Sequence, residues 1–306
     1  MGKLINIGSL CIDRVYKVPK IAMQGETVTS LSWDTFSGGK GLNQSIAAAK
    51  AGALVEHVGC IGSDGDSLIA ELGKAGISSR FVKVGVAPSG HAVIQVDEEG
   101  RNSIVISAGA NRELDSELIQ DAILRLEDND WLLLQNETNG IAEAIELAAQ
   151  EGKQVAINIA PADERMFDYP LSKVALIIVN ELEAMALSSK SSPQLAFDWL
   201  INAYPAIDIV LTLGEEGVWF YRAKDSVRKG MGSFNVHPAD ETAAGDSFIG
   251  YLMATLVAGR DLHESITLAS AAGALAATKA GAVDSIPSLD AVKTLAGEQE
   301  LKTLDL

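Results

Sequence analysis

The sequence predicts an α/β fold of three layers, α/β/α, built on a mainly parallel sheet with a small additional β-sheet. Three observations carry this expectation. Short apolar runs recur without alternation at residues 4–7, 54–60, 131–134, 155–158, 176–179 and 209–213. Strands covered on both faces read this way, because neither face meets water. Longer stretches of helical periodicity separate most of them, as helices on both faces of a parallel sheet require. Two further regions break that rhythm and alternate like half-exposed strands.

Taken in order, residues 4–7 are a strand and residues 42–51 a helix of small residues closed by Gly52. A strand at 54–60 and a helix at 67–75, ending at Gly76, follow. Gly after the last periodic residue is a helix stop. The strand at 131–134 leads to a helix at 141–150 and a strand at 155–158. Beyond the strand at 176–179 come a helix at 193–203, a strand at 209–213 and helices at 242–257 and 262–279. The irregular regions are 15–36, with Val28, Leu31, Trp33 and Phe36, and 91–106. The second alternates through His91-Ala92-Val93-Ile94-Gln95-Val96, turns at Asp97-Glu98-Glu99-Gly100 and returns through Ile104-Val105-Ile106, a hairpin by its turn chemistry. Both regions read as antiparallel strands, forming either a lid or an extra edge of the main sheet.

At 306 residues the chain is long enough for one large domain or two small ones, and at 47% hydrophobic it can bury a large core. Its net charge of −17 disfavours nucleic acid and anionic membrane surfaces as partners. A local site with magnesium and backbone donors can still hold ATP against that field. Cys11 and Cys60 stand far apart without metal-ligand spacing, and the N-terminus is too polar for a secretory signal, so a reduced, cytoplasmic setting is expected. No apolar run reaches the length of a membrane span. There is no GxxxxGK[ST], no GxGxxG and no GxSxG, which counts against P-loop, nicotinamide and serine-hydrolase chemistry.

The most informative segment is Asp240-Glu241-Thr242-Ala243-Ala244-Gly245-Asp246-Ser247-Phe248. A small turn precedes a helix whose first N–H groups are unpaired and carry partial positive charge. Such a place takes a phosphate readily. A carboxylate there either caps the helix or takes a proton from a hydroxyl that attacks phosphorus. A second cluster, Ser37-Gly38-Gly39-Lys40-Gly41-Leu42-Asn43-Gln44, combines close backbone approach with donors suited to sugar hydroxyls.

Together these two segments resemble the signatures of the ribokinase family, the phosphofructokinase-B type carbohydrate kinases. Smaller matches fall in order between and around them: Gly8-Ser9 with Asp13, Gly25-Glu26-Thr27-Val28, Ala108-Gly109-Ala110-Asn111, Gln135 with Glu137, Asn180-Glu181 with Glu183, Thr212-Leu213-Gly214 with Gly217, and Lys279 through Pro287. The resemblance spans nearly the whole chain and implies a single catalytic domain over 1–306. It implies an ATP-dependent kinase acting on a hydroxyl of a pentose-like sugar, ribose first, with deoxyribose, fructose or another hexose, or a nucleoside as alternatives. It also implies a lid over the sugar, with strands within about 13–36 and 89–107.

By the same resemblance, Asp246 is the general base, and the N–H groups of Ala243, Ala244, Gly245 and Asp246 form an anion hole. Asp13, Gly39, Lys40, Gly41, Asn43 and Glu137 hold the sugar. Asn180 and Glu183 help place Mg2+, while Thr212, Gly214 and Gly217 line the nucleotide. Asp240, Thr242, Ala276, Lys279, Gly281 and Ser285 match the ligand positions for a monovalent cation, K+. Cys11 departs from an asparagine that touches the sugar in ribokinase, and Glu241 from a neutral residue. A homodimer through the lid is expected, from apolar lid residues such as Val28, Trp33 and Val93. The rival classes are a sugar- or nucleotide-binding protein without catalysis and a nicotinamide dehydrogenase.

Overall fold

A computed structural model describes residues 2–306. The strands are β1 (Lys3–Ile7), β2 (Cys11–Lys17), β3 (Ser32–Gly38), β4 (Leu54–Ile61), β5 (Ser78–Val84), β6 (Gly90–Val96), β7 (Asn102–Ser107), β8 (Trp131–Gln135), β9 (Gln154–Asn158), β10 (Leu176–Asn180), β11 (Asp208–Thr212), β12 (Val218–Arg222), β13 (Val227–Met231) and β14 (Thr303–Asp305). The helices are α1 (Lys40–Lys50), α2 (Asp66–Lys74), α3 (Ser116–Leu124), α4 (Ile141–Gln150), α5 (Glu181–Ser188), α6 (Pro193–Ala203), α7 (Ala244–Val257), α8 (Leu262–Ala277) and α9 (Leu289–Glu298).

Ten strands form the main sheet in the order β14-β13-β12-β11-β10-β9-β8-β1-β4-β5. From β5 to β11 every neighbouring pair is parallel, and β12, β13 and β14 close one edge antiparallel. The period of two splits each strand between two cores. In β1, Leu4 joins the core under α1, α2, α7, α8 and α9, while Ile5 and Ile7 join the core under α3, α4, α5 and α6. Helices therefore cover both faces, as the continuous apolar runs require.

Two helices, α1 and α7, begin within the two glycine-containing segments singled out above. They cross closely because Gly250 has no side chain: a Cβ there would lie 2.3 Å from Ala47 Cβ and 2.7 Å from the Gln44 carbonyl oxygen. This contact brings the first turns of both helices together.

The small sheet has the order β3-β2-β6-β7. Its two hairpin pairings, β2 with β3 and β6 with β7, are antiparallel as expected, but β2 and β6 run parallel, so the sheet is mixed. Register places Asp13 opposite Phe36 and Ala92, and Ala92 opposite Ile106. Phe36, Ala92, Ile94, Ile104 and Ile106 thus share the Asp13 face. Trp33 and Val93 belong to the other face, where Trp33 stacks on Tyr16 at 6.2 Å between ring centroids.

Several sequence boundaries shift. α1 starts at Lys40, so Lys40 and Asn43 sit in its first turn. α7 starts at Ala244, not 242, because Ala243 takes a left-handed conformation, φ 59°, that ends the helix backwards. α8 stops at Ala277, short of Lys279. The helices α3, α5 and α9 and the strands β5, β12, β13 and β14 were not anticipated. Short amphipathic segments such as α3 are too brief to stand out by periodicity; α3 is marked chiefly by its cap, Asp115 accepting from the Leu118 N–H at 2.7 Å.

Candidate active site

The carboxyl ends of β1, β8, β9, β10 and β11 open on one side of the sheet. In register, Gln135 ends β8 beside Asn158 at the end of β9, and Asn180 ends β10 beside Thr212 at the end of β11. Ligands in open α/β sheets bind outside these ends, where loops and helix N-termini converge.

Asp246 lies buried in the first turn of α7. Its Oδ2 accepts from Asn43 Nδ2 at 2.9 Å and its Oδ1 from Gln44 Nε2 at 2.9 Å. Both donors come from the first turn of α1. The turn before Asp246 offers free backbone donors. Ala244 N–H is committed to the Glu241 carbonyl at 3.1 Å. Among the described residues, the N–H groups of Ala243, Gly245 and Asp246 donate to no protein oxygen. The expected anion hole is therefore one donor smaller than the sequence suggested. Ala244 sits there as wall, because the tight turn takes its N–H.

On one side of Asp246, α1 docks against the loop after β1. A Cβ on Gly41 would lie 2.3 Å from the Ser9 backbone nitrogen, so only glycine fits this approach. Gly39, at φ 95°, reverses the chain just before the helix. Glu137, on the loop after β8, accepts from the Lys40 N–H at 3.0 Å and from the Ser9 hydroxyl. Asp13 on β2 faces the same space. Burial, then the charge of Glu137, raises its pKa from 3.8 to about 6. Burial opposes the charge of Lys40, yet Asp246, Glu137 and Glu183 together outweigh it and hold the ammonium above the ordinary lysine value. Lys40 is a cation set among these three carboxylates. Cys11 is buried, and Asn111 Nδ2 lies 3.4 Å from its sulfur. Burial pushes that thiol up, so it stays protonated.

On the other side lie two adjoining cavities. The smaller, about 180 Å³, is lined by Lys40, Asn180, Glu183, Ala243, Gly245 and Asp246 among others. The larger, about 630 Å³, runs along Thr212, Gly214, Gly217, Phe234, Ala244 and Ala274. Asn180, Thr212, Glu241 and Gly245 border both. The larger falls within the range of about 300–1,000 Å³ typical of ligand pockets. Gly214 and Gly217 have positive φ, and a Cβ on Gly217 would strike the Met231 carbonyl at 2.0 Å. Asn180 and Glu183 form a capping box on α5, with Glu183 N–H donating to Asn180 Oδ1 at 2.8 Å and Asn180 N–H to Glu183 Oε2 at 2.9 Å. Burial raises the Glu183 pKa, partly countered by Lys40. Each Glu183 oxygen keeps a lone pair for a water, which suits an indirect magnesium contact.

The six residues matched to a monovalent cation come from two segments that the fold joins. Asp240 accepts from the Thr242 N–H at 2.9 Å, from the Thr242 hydroxyl at 2.6 Å and from the Gly281 N–H at 3.0 Å. Ser285 Oγ lies 3.5 Å from the Thr242 carbonyl. Lys279 N–H donates to the Ala276 carbonyl at 3.1 Å, and the next carbonyl, of Ala277, receives the Ala239 and Asp240 N–H groups. These donors lower the Asp240 pKa against its burial. The assembled set is all oxygen, fitting a hard cation. Among the described residues no three His, Cys, Asp or Glu side chains converge as a metal site.

Sequence reasoning quoted Gln44 and Gln135 without giving them a role, and passed over Asn6 and Asn158. For Asn6, Gln135 and Asn158 a signal was available: each is a polar residue in, or at the carboxyl end of, an otherwise apolar buried strand.

The description "pfkB family carbohydrate kinase" matches residues 1–289. The chain is 35% identical to the ribokinase of Haemophilus influenzae over 297 residues, covering 92% of this chain and 94% of that protein. A solved structure of ribokinase from Thermotoga maritima superposes with a TM-score of 0.86 at 31% identity, covering 97% of this chain and 100% of that one. Ribokinase from Cryptococcus neoformans, solved in complex with ADP, gives 0.85 at 28% identity, covering 96% and 99%. A buried carboxylate at a helix start, two adjoining cavities and the end-to-end match agree: the chain belongs to the pfkB family of carbohydrate kinases.

Proposed function

We propose that this protein transfers the γ-phosphoryl group of ATP to a hydroxyl of a pentose, with ribose as the first substrate. The observation that carries the reading is Asp246. Its carboxylate is fixed by Asn43 and Gln44 and lines the small cavity beside Lys40, while its neighbours Ala244 and Gly245 wall the nucleotide-sized cavity. In this reading Asp246 takes the proton of the attacking sugar hydroxyl. The N–H groups of Ala243, Gly245 and Asp246 stabilise the charge gathering on the transferring group. Asp13, Gly39, Lys40, Gly41, Asn43 and Glu137 orient the sugar. Thr212, Gly214 and Gly217 line the nucleotide, and Asn180 and Glu183 hold Mg2+ through water. Mg2+ would supply charge neutralisation on the phosphates. The whole chain acts as one catalytic domain, with the small sheet as the lid. ATP as substrate and two unpaired buried cysteines suit the cytoplasm.

The test is ADP release across a panel of pentoses, hexoses and nucleosides. Ribose should lead the panel, and Asp246→Asn should lower kcat by about 100-fold or more. Turnover that survives in Asp246→Asn would sink the reading.

K+ is the proposed occupant of the loop built from Asp240, Thr242, Ala276, Lys279, Gly281 and Ser285. It would order the turn that carries the anion hole. Activity should rise steeply with potassium in wild type and much less in Asp240→Ala. Equal rates without K+ or Na+ would remove the ion from the account.

The protein is further proposed to be a homodimer through its lid sheets. Both faces of the small sheet present exposed apolar side chains, Trp33 and Val105 on one and Phe36, Ile104 and Ile106 on the other. Trp33 and Val93 lie on the face away from Asp13, and Val28 lies outside the strands. On the Asp13 face, Phe36, Ile104 and Ile106 are exposed.

A further inference from the structure

We propose that Gln44 is a positioning residue for Asp246, the last member of a buried amide relay whose direction is set by the backbone carbonyl of Gly41. The proposal rests on Asp246 being the general base. Beneath that carboxylate lies a chain of fully buried side chains: Gln44, Gln135, Asn6, Ser45 and His57. Its polarity follows from one end. A carbonyl oxygen can only accept, so the side of Asn6 that meets the Gly41 carbonyl at 2.9 Å must be its nitrogen. Asn6 Nδ2 spends its other hydrogen on Ser45 Oγ at 2.8 Å. The Asn6 oxygen then faces Gln135, which must present its own nitrogen, at 2.9 Å. That same nitrogen donates to the Gln44 oxygen at 2.9 Å. Gln44 is thereby turned with its nitrogen away from Gln135. One hydrogen goes to Asn158 Oδ1 at 3.2 Å and the other to Asp246 Oδ1 at 2.9 Å.

Flipping any one amide in this chain would set oxygen against oxygen or nitrogen against nitrogen inside the core, where unpaired polar atoms are costly. The relay therefore delivers an N–H, and only an N–H, to the base. Asn43 occupies the other oxygen from the side. Both donors leave the carboxylate in one rotamer, ready to accept a proton only from the cavity. The relay itself carries no charge. His57, at its far end, is kept neutral by burial, with its pKa lowered from 6.5 to about 4. The charged groups that line the small cavity with Asp246 are Lys40, Glu183 and Glu241, all on the cavity side. Proton traffic at the base is thus confined to the substrate side.

The experiment is a double-mutant cycle on the full chain, read as kcat, KM for sugar and ATP, and thermal midpoint. Gln44→Met keeps the shape and removes the N–H; kcat should fall about 10- to 100-fold, as small misplacements of a catalytic group do, with both KM values near wild type. Gln135→Met removes the preceding link and should cost kcat less. The double variant should match Gln44→Met alone, because the upstream link acts only through the last one. Gln44→Asn, which keeps the amide but shortens its reach, should reproduce the kcat loss and stands in if Gln44→Met folds poorly. The proposal falls if kcat normalised to folded protein stays near wild type, if KM carries the loss, or if the two single losses multiply. Loss in Asp246→Asn with a silent Gln44→Met discards the relay alone. Survival of Asp246→Asn discards the base and the relay together.

Discussion

Asp13 and Glu137 illustrate how single residues are tuned here. Two carboxylates share one half-buried space, and Asp13 responds with a pKa raised from 3.8 to about 6, by burial first and by Glu137 second. A carboxyl raised in the folded state costs nothing below its unfolded value near 3.8, and its ionisation costs stability in full above about 6. Asp13→Asn should therefore be more stable than wild type at pH 7–8 and indistinguishable from it near pH 4, measured by thermal melts. The same residue should tie sugar binding to pH. Protonated Asp13 loses acceptor capacity toward sugar hydroxyls, so KM for the sugar should rise as pH falls through about 6. A stability gain together with lost sugar affinity is the signature of a residue kept for function. A flat stability difference across this pH range would contradict the assignment.

Among the elements, the pairing of α1 with α7 sets the surroundings of Asp246 more than either helix does alone. α1 contributes Lys40, Asn43 and Gln44; α7 contributes Asp246; and Gly250 sets how closely they meet. Gly250→Ala places a Cβ 2.3 Å from Ala47 Cβ, so the helices must separate. Overpacking of this kind costs about 1–3 kcal/mol. The expected result is a lower thermal midpoint together with a kcat loss out of proportion to it, because Asn43 and Gln44 draw back from Asp246. Unchanged kcat in the folded fraction would show that the spacing is not critical. The turn before α7 works in the same way. Ala243 holds φ 59°, a conformation that alanine rarely adopts, and strain of this sort gathers at functional sites.

On the scale of the whole molecule, the small sheet gathers several exposed apolar side chains outside the main core. Phe36 is 45%, Ile104 50% and Ile106 66% exposed, all on the face that carries Asp13. Large exposed apolar rows mark contact surfaces. Ile104→Lys combined with Ile106→Asp should convert a dimer to a monomer by sedimentation and raise KM for the sugar, since the lid would lose its cover. A wild-type protein that sediments as a monomer at micromolar concentration would end the dimer proposal.

The three-layer fold was legible in the chain because buried parallel strands announce themselves as unbroken apolar runs, and both glycine-rich signatures stand out as contiguous strings. Asp246, Lys40 and Asn43 could be named from those strings alone. Lone polar residues such as Asn6, Gln135 and Asn158 could not be given roles, because a single amide in an apolar strand has no meaning until its partners are known. Likewise Ala244 was expected to donate to an anion, and only the turn geometry commits its N–H to Glu241. Alternation in the lid strands likewise gives two faces, but only the register shows that Phe36, Ala92 and Ile106 share the one that carries Asp13. Local patterns marked the central buried strands and the longer helices, and the resemblance carried by the two glycine-rich strings supplied the class of reaction. The tertiary structure decided which donors meet which oxygens, because hydrogen bonds reach only about 3 Å and residues far apart in sequence come that close only when helices and strands pack.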